Sequence, residues 1–151
     1  MEKVLNLDNH LCFTIYACFR EISRLYRHIL DPLGITYTQY LALLVLWEQD
    51  GVTLKELGQR LYLDSGTLTP LMKKLEAMGL VTRKRSTEDE RKVLIHLTAA
   101  GRKLKEDACR IPEQLVQQNE ISPEELSQLM QEARHLFDRL QKVTRRLHHD
   151  S

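Results

Sequence analysis

With 151 residues, 42% hydrophobic and 28% charged, the chain has the size and make-up of one folded domain rather than a disordered tail or a fibre. Its 22 Lys and Arg against 21 Asp and Glu leave a net charge of +1, so no global basic field marks a polyanion binder. Three cysteines, Cys12, Cys18 and Cys109, are odd in number and lack zinc-type pairing, which argues against a disulfide framework and a structural metal.

The first predicted element is a helix over "HLCFTIYACFREISRLYRHIL", residues 10–30. Leu11, Ile15, Cys18, Ile22, Leu25 and Ile29 alternate four and three apart, the rhythm of a helix–helix seam. Beside that seam, Cys12, Tyr16, Phe19 and Tyr26 fall within about 40° of one line at 100° per residue. Two readings of that line stand open: packing by a small thiol and amphipathic phenols, or a reactive wall. Pro32 and Gly34 stop the helix, and Thr36 with Gln39 has the spacing of a capping box for the next. "TQYLALLVLWEQD" is apolar nearly all round, hence buried, and Gly51 ends it. Residues 53–61, "TLKELGQRL", read as a short helix capped by Thr53 with Leu54, Leu57 and Leu61 inward. After a tight "YLD", the next helix is "SGTLTPLMKKLEAMG", with Leu68, Leu71, Leu75 and Met78 inward and Gly79 as its stop. Pro70 within it removes one backbone bond to Gly66.

Two strands follow, "LVTRKRS" and "KVLIHLT", around the charged tip "TEDER", which makes a wing. Helix resumes at Ala99 through "AAGRKLKEDACRIPEQLVQQN", with Pro112 bending or interrupting it. A last helix starts with Ser122 as cap and Pro123 in the first position, with Leu126, Leu129, Leu136 and Leu140 expected inward. No run reaches membrane-spanning length, and "MEKVLNLDNH" lacks the layout of a secretion signal. The expectation is a cytoplasmic protein without membrane contact, its thiols reduced.

Charge is unevenly placed. Residues 53–92 carry 9 basic and 6 acidic groups, against 4 and 6 in residues 1–52 and 9 and 9 in residues 93–151. That excess coincides with the helix pair and wing. With its apolar line inward, the second helix of the pair leaves Ser65, Thr67, Thr69, Lys73 and Lys74 for base edges and phosphates. The wing gathers Arg83, Lys84, Arg85, Arg91 and Lys92, close enough to enter a minor groove beside that helix. Asp89 has two readings, a plain turn carboxylate or a group that orients Arg91.

The segment "LKELGQRLYLDSGTLTPLMKKLEAMGLVTRKRSTEDERKVLIHLTAAG" resembles the winged helix of the MarR regulators, including Asp89, x, Arg91 at the wing and the closing Leu97 and Thr98. The likeness runs from about residue 5 to 145. Within that family, "LCFTIYA", "ITYTQYLALLVLWE" and "LYLDSGTLTPLMKKLE" resemble the OhrR branch, repressors that respond to organic hydroperoxides. The fold so implied is mainly α, a winged helix-turn-helix over residues 35–98. It carries an N-terminal dimerisation and sensor helix, residues 1–34, and C-terminal dimerisation helices, residues 99–151.

The resemblance implies a homodimer on a palindromic operator, an organic hydroperoxide as signal, and no cofactor, metal or catalytic residue. It assigns peroxide sensing to Cys12, with Tyr16 and Tyr26 donating to its thiolate across the dimer, Phe19 in the apolar wall and Tyr37 near the pocket. Phenols and a helix start suit a thiolate. The two-cysteine form of the branch keeps a resolving cysteine where Cys109 stands, which implies an intersubunit Cys12–Cys109 disulfide and a structural Cys18. The alternative is a MarR-like repressor released by a small aromatic effector bound without covalent chemistry. A peroxide-consuming enzyme is a third reading, with no turnover site beyond the thiol.

Overall fold

The computed structural model describes residues 5–149. Its elements run α1 (Leu11–Leu30), α2 (Tyr37–Glu48), β1 (Val52–Thr53), α3 (Leu54–Leu61), α4 (Ser65–Ala77), β2 (Val81–Arg85), β3 (Val93–Leu97), α5 (Ala99–Ala108), α6 (Ile111–Asn119) and α7 (Pro123–His149). They fall into two compact units, Met1–Cys109 and Arg110–Ser151.

In the first unit, local chemistry fixes most helix starts. Thr36 accepts from the Gln39 amide while the Gln39 side chain accepts from the Thr36 N–H, and Thr53 with Glu56 repeats the arrangement. α2 is apolar on nearly every side and is the central helix, with Ala42, Leu43 and Leu46 buried. Around it pack α1, α3, α4 and α5. Leu30, Leu57, Leu68, Met72, Leu75, Val81 and Ile95 complete the core, each large side chain adding about 1.5–3 kcal/mol on burial.

The expected inward line of α4 needs correction. Met72 is fully buried between Leu68 and Leu75, Leu71 is half-buried and Met78 is exposed. A four-three step through 68, 72 and 75 fits the helical period as well as a three-four-three step through 71 and 78, so periodicity left both open. Helix geometry persists through Pro70.

The sheet is antiparallel in the order β1-β3-β2, with Val81 opposite Leu97, Arg83 opposite Ile95 and Val52 also opposite Ile95. β1, a strand of two residues, carries no alternation to read and escaped the sequence analysis. A clasp ties the base of the wing to its neighbours. Asp50 Oδ1 accepts from the Leu97 N–H at 2.8 Å, and Arg102 donates to the Leu97 carbonyl at 3.0 Å. Trp47 Nε1 donates to the Gly101 carbonyl, and Lys105 donates to the Trp47 carbonyl. At Gly101 a Cβ would lie 2.1 Å from the Leu80 carbonyl oxygen, so only glycine lets α5 begin against the corner between α4 and β2.

The helix expected from Ala99 breaks at Cys109 and Arg110, and α6 then takes Pro112 in its first turn. In the second unit, Ser122 and Glu125 cap α7 reciprocally. Its leucines correct a second expectation: α7 has no buried residue, and Leu126, Leu129 and Leu140 are exposed with Leu136 half-buried. The periodicity is sound, but the single chain offers the stripe no cover.

Candidate DNA-reading face and thiol sensor

The turn between α3 and α4 is made by Tyr62 in the left-handed region, φ 55°, followed by Asp64 as the α4 cap. Asp64 Oδ1 accepts from the Thr67 N–H at 2.7 Å, and hydrogen bonds from Thr67 hold its carboxyl below the usual range. Sequence reasoning missed this cap because it took "YLD" as connection, although Asp before a helical run is itself the signal. α4 leaves Ser65, Thr67, Lys73 and Lys74 exposed and Thr69 half-buried. All five lie on α4, which packs against β2 of the wing, with Ser65, Thr69 and Lys73 on one flank of the helix and Thr67 and Lys74 on the other.

At the wing, both readings of Asp89 are realised. Its Oδ1 accepts from the Arg91 N–H at 3.1 Å and from Arg91 Nε at 3.3 Å, so it closes the turn and aims the arginine. The Arg91 side chain remains 92% exposed. Arg85 donates to the Glu90 carbonyl across the tip, and Lys84 and Lys92 are exposed. Arg83 points elsewhere: its guanidinium and its backbone N–H all donate to the Glu76 carboxylate on α4.

Cys12 occupies the first turn of α1, whose start is capped by His10 Nδ1 accepting from the Phe13 N–H. All three cysteines are free and exposed, and Cys109 stands at the end of α5, its thiol donating to the Glu106 carbonyl. Tyr16 and Phe19 are exposed on the same helix, with the Tyr16 hydroxyl accepting from Arg20 at 3.4 Å. Tyr26 lies 14 residues beyond Cys12, about 21 Å along the helix, so one chain does not bring the pair together. Tyr26 instead stacks on Tyr37 with ring centroids 4.3 Å apart and tilts against Tyr40 at 5.7 Å. Burial first, then the neighbouring Tyr37 and Tyr40, pushes the Tyr26 hydroxyl up to about 12. It is therefore a neutral donor at ordinary pH. Tyr40, absent from the sequence-based set, belongs to this cluster. Next to it lies a cavity of about 420 Å³ lined by Phe19, Ile35 and Tyr37, by Ser23 and Thr36, and by the oppositely charged Arg27 and Asp31. Among the described residues, no group of His, Cys, Asp or Glu side chains is arranged to hold a metal ion, and no single helix is long and apolar enough to cross a membrane.

Comparison with known proteins joins these features. The profile of the SarA/Rot transcriptional regulators matches residues 24–108. The organic hydroperoxide resistance transcriptional regulator of Bacillus subtilis (strain 168) is 54% identical over 125 residues, covering 83% of this chain and 85% of that one. Among solved structures, AbfR of Staphylococcus epidermidis is similar with a TM-score of 0.76 at 34% identity, over 93% of this chain and 97% of that one. A structure of reduced AbfR bound to DNA gives a TM-score of 0.77 at 34% identity over 92% and 96% of the two chains. Disulfide-formed AbfR gives 0.62 at 37% identity over 90% and 96%. The chain belongs to the winged-helix transcriptional regulators of the MarR and SarA/Rot type, in the branch that resembles the organic hydroperoxide resistance regulators.

Proposed function

We propose that this regulator is a repressor switched by oxidation of Cys12. The reading rests chiefly on an exposed thiol in the first turn of α1, set at the positive end of a helix and one turn before Tyr16 on the same helix face. In the proposed dimer the partner's α1 runs the other way, so that a neutral Tyr26 hydroxyl reaches Cys12 and donates to the thiolate. An organic hydroperoxide docks its carbon skeleton on the apolar wall, which favours it over hydrogen peroxide. The thiolate sulfur attacks the outer peroxide oxygen, the O–O bond breaks, and the alcohol leaves with a proton, giving a sulfenic acid. A Cys109 thiolate of the other subunit then attacks the Cys12 sulfur, water leaves, and an intersubunit disulfide remains. Reduced dimer holds a palindromic operator through two sets of α4 and wing, with Ser65, Thr67, Thr69, Lys73, Lys74, Lys84, Arg85 and Arg91 toward DNA. Oxidised dimer releases it.

Two kinds of relative support this: one named for organic hydroperoxide resistance, and one, AbfR, solved in reduced, overoxidised and disulfide forms. A second reading has an observation of its own. The cavity beside Tyr37, lined by aromatic rings and by both Arg27 and Asp31, suits a small aromatic effector bound without covalent chemistry.

The deciding experiment adds an organic hydroperoxide to the protein bound to DNA upstream of its own coding sequence, then runs the protein on a non-reducing gel. Native protein is expected to leave the DNA and form a dimer-sized band, Cys12→Ser to do neither, and Cys109→Ser to lack the band. Release that persists in Cys12→Ser overturns the thiol switch and favours the non-covalent effector. Release without any band in native protein reassigns resolution to a small cellular thiol.

A further inference from the structure

We propose that Arg83 is a positioning residue: its ion pair with Glu76 sets the angle of the wing against α4, and Arg83 itself makes no phosphate contact. This inference rests on the winged-helix function alone and is independent of the thiol switch.

Strand alternation places Val81 and Arg83 on one face of β2 and Thr82 and Lys84 on the other. Val81 is buried, so Arg83 starts on the face turned toward the core and α4, while Lys84 is exposed. Glu76 stands one turn past the buried Met72 and next to Leu75, on the flank of α4 that meets this strand. Both carboxylate oxygens are used: Oε1 accepts from Arg83 Nη2 at 3.0 Å and Nε at 3.3 Å, and Oε2 accepts from the Arg83 N–H at 3.1 Å. One carboxylate therefore grips side chain and strand backbone together. The two partners are 27% and 39% exposed, less than Arg24 with Glu21 or Arg60 with Glu48, which are 58% exposed or more. A planar guanidinium clamped in this way is a geometric fixture. Its charge is already answered by Glu76, whose carboxyl is held below its usual range by those hydrogen bonds.

The two roles make opposite forecasts for salt dependence. A phosphate contact contributes about 0.9 to the slope of log affinity against log salt, whereas a positioning residue contributes nothing to it. Binding is measured by fluorescence anisotropy at several salt concentrations, on a duplex selected by the native protein from a randomised pool. Arg83→Gln and Glu76→Gln are each expected to weaken binding about tenfold with an unchanged slope, and the double variant to be no weaker than either single one. Lys73→Ala, the control on α4, loses slope. Arg83→Lys keeps the charge but not the fork, so it should resemble Arg83→Gln; it also serves if the Gln variants fail to melt cooperatively. A slope lowered by about 0.9 in Arg83→Gln, tighter binding by Glu76→Gln, native binding by Arg83→Lys, or native affinity throughout would each overturn the assignment.

Discussion

Tyr26 shows how a single hydroxyl carries information about both stability and chemistry. Its neutral form is favoured in the folded protein, where ionisation is pushed to about 12, while an unfolded tyrosine ionises near its ordinary value of 10. The stabilisation is therefore complete below that ordinary value and is lost as pH climbs through about 12. Tyr37 and Tyr40 are raised in the same direction, chiefly by burial, so their contributions too are lost as pH rises beyond the ordinary tyrosine value. Urea midpoints are expected to fall steeply across this alkaline range, and Tyr26→Phe to flatten part of the fall. An identical pH profile in the variant would remove Tyr26 from the account. From the sequence, helical spacing sufficed to align Cys12, Tyr16, Phe19 and Tyr26, because that line depends on one helix only. Tyr40 was not legible, since its approach to Tyr26 is set by how α1 crosses α2. For the same reason, Arg83 reads as one more cation of the wing until Glu76 is seen beneath it.

At the scale of elements, caps and stops were the most readable features because they are local. The Thr36 box, the Thr53 cap and the Gly79 stop, at φ 72°, all stand where the spacing predicts, and Glu56 completes a second box at Thr53 that the sequence analysis did not include. Thr53 also belongs to β1, opposite Leu94, so one residue both starts α3 and joins the wing sheet. Thr53→Ala should cost about 1 kcal/mol through the lost cap. Chemical denaturation would register it as a lower urea midpoint at unchanged slope, and an unshifted midpoint would mean that the cap is redundant with the strand pairing. Less readable were the two-residue β1 and the inward choice between Leu71 and Met72. Both depend on which neighbour arrives, and neither is encoded within the segment itself.

On the scale of the molecule, two helices carry apolar side chains on exposed surface. α1 exposes Leu11, Ile15 and Ile22, and α7 exposes Leu126, Leu129, Leu140, Val143 and Leu147 at alternating helical intervals. Apolar stripes repeated at helical spacing are the kind of surface that a proposed dimer would cover. Leu140→Asp combined with Leu147→Asp, at positions 48% and 65% exposed in the single chain, is expected to leave the melt of the first unit intact. Sedimentation should nevertheless shift from dimer to monomer, with operator binding weakened as the second reading head is lost. A dimer that survives the pair would place the interface elsewhere. The sequence reads the α1 stripe as a helix–helix seam and expects the α7 leucines inward, but spacing along one helix does not name the surface that covers it.

The clasp at the wing base gives α5 the character of a lever. Its ten residues span about 15 Å, with Cys109 at one end and Gly101, bonded to Trp47, near the other. Gly101 stands about 12 Å from Cys109, so a tilt of about 10° around the Cys109 end carries the clasped end about 2 Å, against about 3.4 Å between successive base pairs. Under the proposed switch, a rearrangement at the thiol too small to unfold anything would thus reach the wing base as more than half of one base-pair step.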